Sequence, residues 1–214
     1  MKRITAKAFT LVELLIVIAL LGVIATIVIA AINPIEQANR SRDAGMKADA
    51  SQLVSALQRY YTGFNNYPWT IVDVTNYADS DSILQFTDGE ASNQIIGLCE
   101  SDTTCATGGE LVTANEMQIA FLTRKFITAT SETDMLYVGK GSGASSSVFV
   151  CWVPKSNSAR QNAIANNKVV DLSSAFTDGG SATPTYTDNC DSGPTNDLWS
   201  PDSGMPTCAE CVPE

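Results

Sequence analysis

Residues 9–32 form a run of 24 residues whose only charge is Glu13. At ~1.5 Å per residue a helix of that length covers about 36 Å, enough to cross a hydrocarbon core of ~30 Å. Any fold for this chain must therefore keep the run out of water. A cleavable secretory signal would have a shorter apolar region, roughly 7–15 residues. Ala30-Ala31-Ile32 is also a poor cleavage site for one. Lys2, Arg3 and Lys7 precede the run and favour a cytoplasmic N-terminus, with everything after residue 33 outside.

Glu13 is the anomaly, because an acid inside an apolar span is costly and marks a functional candidate. The bland alternative keeps it hydrated at the interface. The stretch KAFTLVELLIVIALLGVIA, residues 7–25, closely resembles the N-terminal motif of the type IV pilin family, which includes the pseudopilins of type II secretion. The resemblance implies a leader of residues 1–8, cut between Ala8 and Phe9 by a prepilin peptidase that then methylates the new terminus. It implies an assembly role for Phe9 and Glu13, the acid pairing with the Phe9 amine of a neighbouring copy. Such pairing lowers the cost of a charge in an apolar bundle. The family usually has Gly before the cut, and this chain has Ala8.

Beyond Pro34 the pattern becomes amphipathic. Met46, Ala50, Leu53, Leu57 and Tyr60/Tyr61 recur at three- and four-residue steps, which predicts a helix with one core-facing side. Arg40, Arg42, Lys47, Asp49, Gln52 and Arg59 fall mostly on other faces. Gly22 and Pro34 are the helix breakers along the way, with Asn33 pushed off helical angles by the proline. The stretch RDAGMKADASQLVSALQRYYTGFNNYP also resembles the helix end of many pilins and major pseudopilins, and the resemblance ends near Pro68.

The distal residues are rich in Ser, Thr, Gly, Asn and Asp. Residues 147–153 predict a central strand that is apolar on both faces, paired as a hairpin with residues 135–139. Residues 168–172 predict a third strand. Thr113-x-x-Glu116 resembles a capping box and predicts a short helix from about Ala114. Residues 177–214 read as a loop held by crosslinks. The fold class expected is α+β, a long N-terminal helix with its apolar half protruding, packed on a small antiparallel sheet. The expected organisation is a leader over 1–8, a membrane or filament-core helix over 9–33, an amphipathic helix over 34–64 and an extracellular domain over 65–214.

All six cysteines, Cys99, Cys105, Cys151, Cys190, Cys208 and Cys211, follow the apolar run, as structural disulfides in an oxidising exterior would. Cys99 with Cys105 closes a small loop, and Cys151 with Cys190 is the second pairing expected. A redox role for Cys208-x-x-Cys211 lacks a thioredoxin-like setting, and a zinc role lacks a second close pair. Some major pseudopilins bind calcium in a C-terminal loop. Asp188, Asp191, Asp197 and Asp202 are the residues a calcium site would use, although their spacing is not that of an EF-hand. No other cofactor is expected.

Residues 62–214 carry 19 Asp and Glu against 6 Lys and Arg, which argues against nucleic acid as a partner. The chain has no histidine, which removes His-based triads and the usual His-containing zinc sites. The functional expectation is a structural, non-enzymatic subunit of a pilus-like extracellular filament, built from copies of itself. Its precursor would sit in the cytoplasmic membrane and meet prepilin peptidase and the assembly machinery. A pseudopilin of a secretion or DNA-uptake system is the alternative, and a membrane-anchored binding protein or a carboxylate-pair enzyme a more distant one.

Overall fold

The computed structural model describes residues 9–72, 84–87, 93–101, 105–141, 146–172, 185–186, 190, 199 and 208–213. The chain divides into two compact units, Met1–Ala38 and Asn39–Glu214.

In the first unit, α1 spans Leu11–Ile32 and is apolar around its whole circumference. Its stretch Leu11–Ile29 is long and apolar enough to cross a membrane. Gly22 lies inside unbroken helix, so it does not interrupt it. The break falls at Asn33, which adopts left-handed angles (φ 44°, ψ 75°) at the end of α1. Pro34 explains this. It excludes helical angles from the residue before it, and asparagine is among the few side chains that tolerate the left-handed region. Asn33 then caps α2 (Pro34–Phe64): its Oδ1 accepts the Glu36 N–H at 3.4 Å, and Pro34 takes the first helical position. The expected break at Pro34 is thus present, one residue wide.

In the second unit, the predicted stripe of α2 is buried: Met46, Ala50, Leu53, Leu57 and Tyr60. It packs against one face of a sheet through Leu136, Val138, Val148, Val150 and Trp152. Each buried Leu, Val or Met among these contributes roughly 1.5–3 kcal/mol by leaving water. Among the described residues the sheet has six strands: β1 (Leu84–Thr87), β2 (Leu136–Lys140), β3 (Val148–Trp152), β4 (Val169–Asp171), β5 (Thr185–Tyr186) and β6 (Cys208–Val212). Their order is β1-β2-β3-β6-β4-β5, and every pairing is antiparallel. The α+β expectation holds. The β2–β3 hairpin pairs Leu136 with Trp152 and Lys140 with Val148. Alternation along β3 sends Val148, Val150 and Trp152 toward the α2 core. Cys151 goes to a second core, with Tyr137, Val153 and Ala163. Ala163 belongs to α3 (Asn157–Ala165), which starts at the N-cap Ser156.

Four expectations are corrected. No helix begins at Ala114. A single turn, Glu110–Thr113, ends there, and Thr113 Oγ1 donates back to the Gly109 carbonyl at 2.9 Å instead of capping forward. Glu116 is taken by Arg59, whose Nε meets its Oε2 at 2.8 Å. Residues 119–128 are instead two 3-10 turns that bury Phe121, Leu122, Phe126 and Ile127. The stretch after residue 177 is not all loop, since β6 lies between β3 and β4. Its short run, Cys-Ala-Glu-Cys-Val, is too brief for its periodicity to stand out. Asp49, expected off the core face, is buried despite its charge, and Asp43 is buried on the same helix. Cys151 does not pair with Cys190.

Candidate functional site

The site begins where the apolar run does. Thr10 is the N-cap of α1. Its Oγ1 accepts the Glu13 N–H at 3.3 Å. In return the Thr10 N–H and hydroxyl donate to Glu13 Oε2 at 2.9 and 2.8 Å. Glu13 is therefore the third helical residue of a capping box, satisfying donors that a helix start leaves orphaned. Thr10-x-x-Glu13 before an apolar run is the sequence signature of that box. Reading Glu13 only as a charge in an apolar span passes over it.

Both bonds fall on one carboxylate oxygen. Oε1 has no hydrogen bond among the described residues, and a carboxylate offers about four acceptor sites. Glu13 can therefore keep its cap and still accept an N–H from outside. Phe9, next to the cap, is exposed, as are Leu11, Val12, Leu14 and the large side chains along α1. Ala8 lies outside the described residues. An apolar helix exposed on every side is complete only in lipid or against other helices.

A second polar assembly secures α2. Asp43, buried on α2, accepts the backbone N–H of Lys155 on Oδ1 at 2.9 Å and that of Ser156 on Oδ2 at 2.8 Å. Arg42 Nη1 donates to the same Oδ1 at 2.9 Å and to the Val153 carbonyl at 3.2 Å. Arg42 also reaches the Thr133 carbonyl, and its Nε meets Asp134 Oδ1 at 2.9 Å. Lys155 Nζ closes the set on Asp134 at 2.7 and 2.8 Å. Desolvation raises Asp134, but its bonds and charge contacts with Lys155 and Arg42 outweigh that and hold its carboxyl below the ordinary range. No sequence motif announced this cluster. Adjacent Arg-Asp in a helix is common, and the backbone donors come from a turn more than a hundred residues away.

The cysteines form three disulfides: Cys99–Cys105, as expected, with Cys151–Cys211 and Cys190–Cys208. Cys151 and Cys211 face each other across β3 and β6. That register makes Cys211 the partner of Cys151, and Cys190 pairs with the other β6 cysteine. Asp188, Asp191, Asp197 and Asp202 lie outside the described residues. Among the described residues no cluster of three or more Asp, Glu or Cys is arranged to hold a metal ion.

The family model of the prokaryotic N-terminal methylation motif matches residues 4–29. This is the type IV pilin and pseudopilin signature, and it covers the cap, Glu13 and most of α1. No curated protein and no solved structure matches the chain.

Proposed function

We propose that this chain, which carries the type IV pilin and pseudopilin signature, is the structural subunit of a pilus-like extracellular filament. In this reading residues 1–8 are removed, Phe9 becomes the methylated N-terminus, and α1 leaves the bilayer to pack among the α1 helices of other copies. Glu13 accepts the Phe9 ammonium of a neighbour on its second carboxylate oxygen. One observation carries the reading: the methylation motif covers a capped helix whose large apolar side chains are exposed on all sides.

The charge pair sets register. Leaving one carboxylate unpaired among apolar helices is costly, and meeting an ammonium offsets much of that cost. A copy docked one turn out of place forfeits the pairing. The signature points to a structural protein rather than an enzyme.

Two substitutions separate assembly from capping. Glu13→Gln keeps an acceptor for the Thr10 N–H but removes the charge, and Glu13→Ala removes both. Both variants should be cleaved and membrane-bound yet give few sheared surface filaments. Wild-type filament yield from Glu13→Gln would overturn the ion-pair role. Mass spectrometry of wild-type filaments should show this chain starting at a methylated Phe9. Filaments lacking it would overturn the subunit role.

A further inference from the structure

The second unit is acidic overall, but its cations are segregated. Of the ten Lys and Arg in residues 39–214, Arg40, Arg42, Lys47, Lys155, Arg160 and Lys168 lie on the first half of α2 or in the segment from Lys155 to Lys168. Between these elements is an open cavity of about 340 Å³, with Arg40, Lys47 and Lys168 in its wall. The acids in that wall are Asp43 and Glu210. Asp43 is committed to Arg42 and to the backbone donors of Lys155 and Ser156. Glu210 meets Lys47 at 3.7 Å. Arg40 and Lys168 also make contacts within the chain. What matters is the net positive charge of the wall. The cavity thus presents a cationic wall in a unit that is acidic overall.

We infer that this cavity receives a carboxylate from the acidic surface of a second copy of the chain. The inference rests on the filament reading and adds a contact to it that α1 does not make. Residues 62–214 carry 19 acids against 6 bases, so every copy offers both the pole and its complement. A patch that binds a different patch on an identical neighbour gives a heterologous contact, and repetition of such a contact builds an open helical array. Like-charged acidic surfaces would otherwise repel at close spacing, and the pole gives that repulsion a fixed, attractive exception. Contacts of this kind weaken with salt, because the Debye length falls from about 10 Å at 0.1 M to about 3 Å at 1 M.

The test is zero-length carbodiimide crosslinking of filaments sheared from cells shifted from ¹⁴N to ¹⁵N medium, so that each filament draws on a mixed membrane pool of copies, read by mass spectrometry. Mixed-isotope crosslinks joining Lys47 or Lys168 to an Asp or Glu beyond residue 61 are expected. The charge-reversed variant Arg40→Glu/Lys168→Glu should be processed at Phe9 and keep wild-type circular dichroism, yet give at least tenfold fewer filaments. Crosslinks confined to single copies, or wild-type filament yield from the variant, would overturn the inference. So would a variant that assembles normally but loses binding to vesicles containing anionic lipid, an outcome that assigns the pole to a bilayer. Surface filaments that lack this chain would sink the subunit reading instead, before any crosslink is scored.

Discussion

Asp43 Oδ2 accepts the backbone N–H of Ser156 at 2.8 Å, and through that bond α2 holds the residue that caps α3. One carboxylate therefore fixes the turn between β3 and α3 to the helix crossing the opposite side of the strand. Asp43→Ala leaves the buried Ser156 N–H, the half-buried Lys155 N–H and the Arg42 guanidinium each short of an acceptor. A loss of about 3–5 kcal/mol is expected, read as a lower urea midpoint with unchanged slope. Asp43→Asn retains one acceptor oxygen and should fall between the two.

Asp134 makes the acid limb of the stability curve. Its carboxyl is held below its ordinary value by Lys155 and Arg42 against the opposing pull of desolvation. The sign comes from linkage: a depressed acid contributes stability that is complete above its unfolded value of ~3.9 and is lost as pH falls through the folded value. Asp134→Asn should flatten the decline in melting temperature below about pH 4. The side chain is 38% exposed, so screening keeps the effect below about 1 kcal/mol.

Asp49 acts in the opposite direction. Burial on α2 raises its carboxyl, and Arg124, whose Nε is 3.5 Å away, only partly offsets this. A raised acid favours folding in its protonated form, and that contribution disappears as pH rises through the folded value. Asp49→Asn should match wild type near pH 4 and equal or exceed it at pH 7. A melting curve in which the variant is worse at pH 7 than at pH 4 would contradict this assignment.

The disulfides should differ in worth. Cys151–Cys211 closes a sequence separation of 60 and Cys99–Cys105 one of 6. Chain entropy alone gives about 4 kcal/mol for the first and about 2 kcal/mol for the second. Paired Cys→Ala variants compared by denaturant unfolding will report the order. The Cys151→Ala/Cys211→Ala chain should lose more, since it also leaves a void between β3 and β6.

Much of this was legible because it is periodic. The α2 stripe and the β2–β3 hairpin announce themselves through regular spacing, and the N-terminal methylation segment through a dense local motif. What escaped depends on partners distant in sequence. Asp43 and Asp49 look like solvent-facing acids until the turn at Ser156 and the side chain of Arg124 are in place. Thr113-x-x-Glu116 has the right letters for a cap, but Arg59 takes the glutamate. Thr10-x-x-Glu13 has the same letters and does cap, with no competing cation at hand among the described residues. The correct cysteine pairing requires knowing that β6 inserts beside β3, which no local pattern states.

That insertion bears on how the molecule is manufactured. β6 is made after β4 and β5 yet belongs between β3 and β4, so the sheet stays split until residues beyond 207 arrive. A copy terminated prematurely before residue 208 would lack its central strand and two of its three staples. It would present two open β edges to the cell's proteases, so the topology itself distinguishes finished copies from unfinished ones.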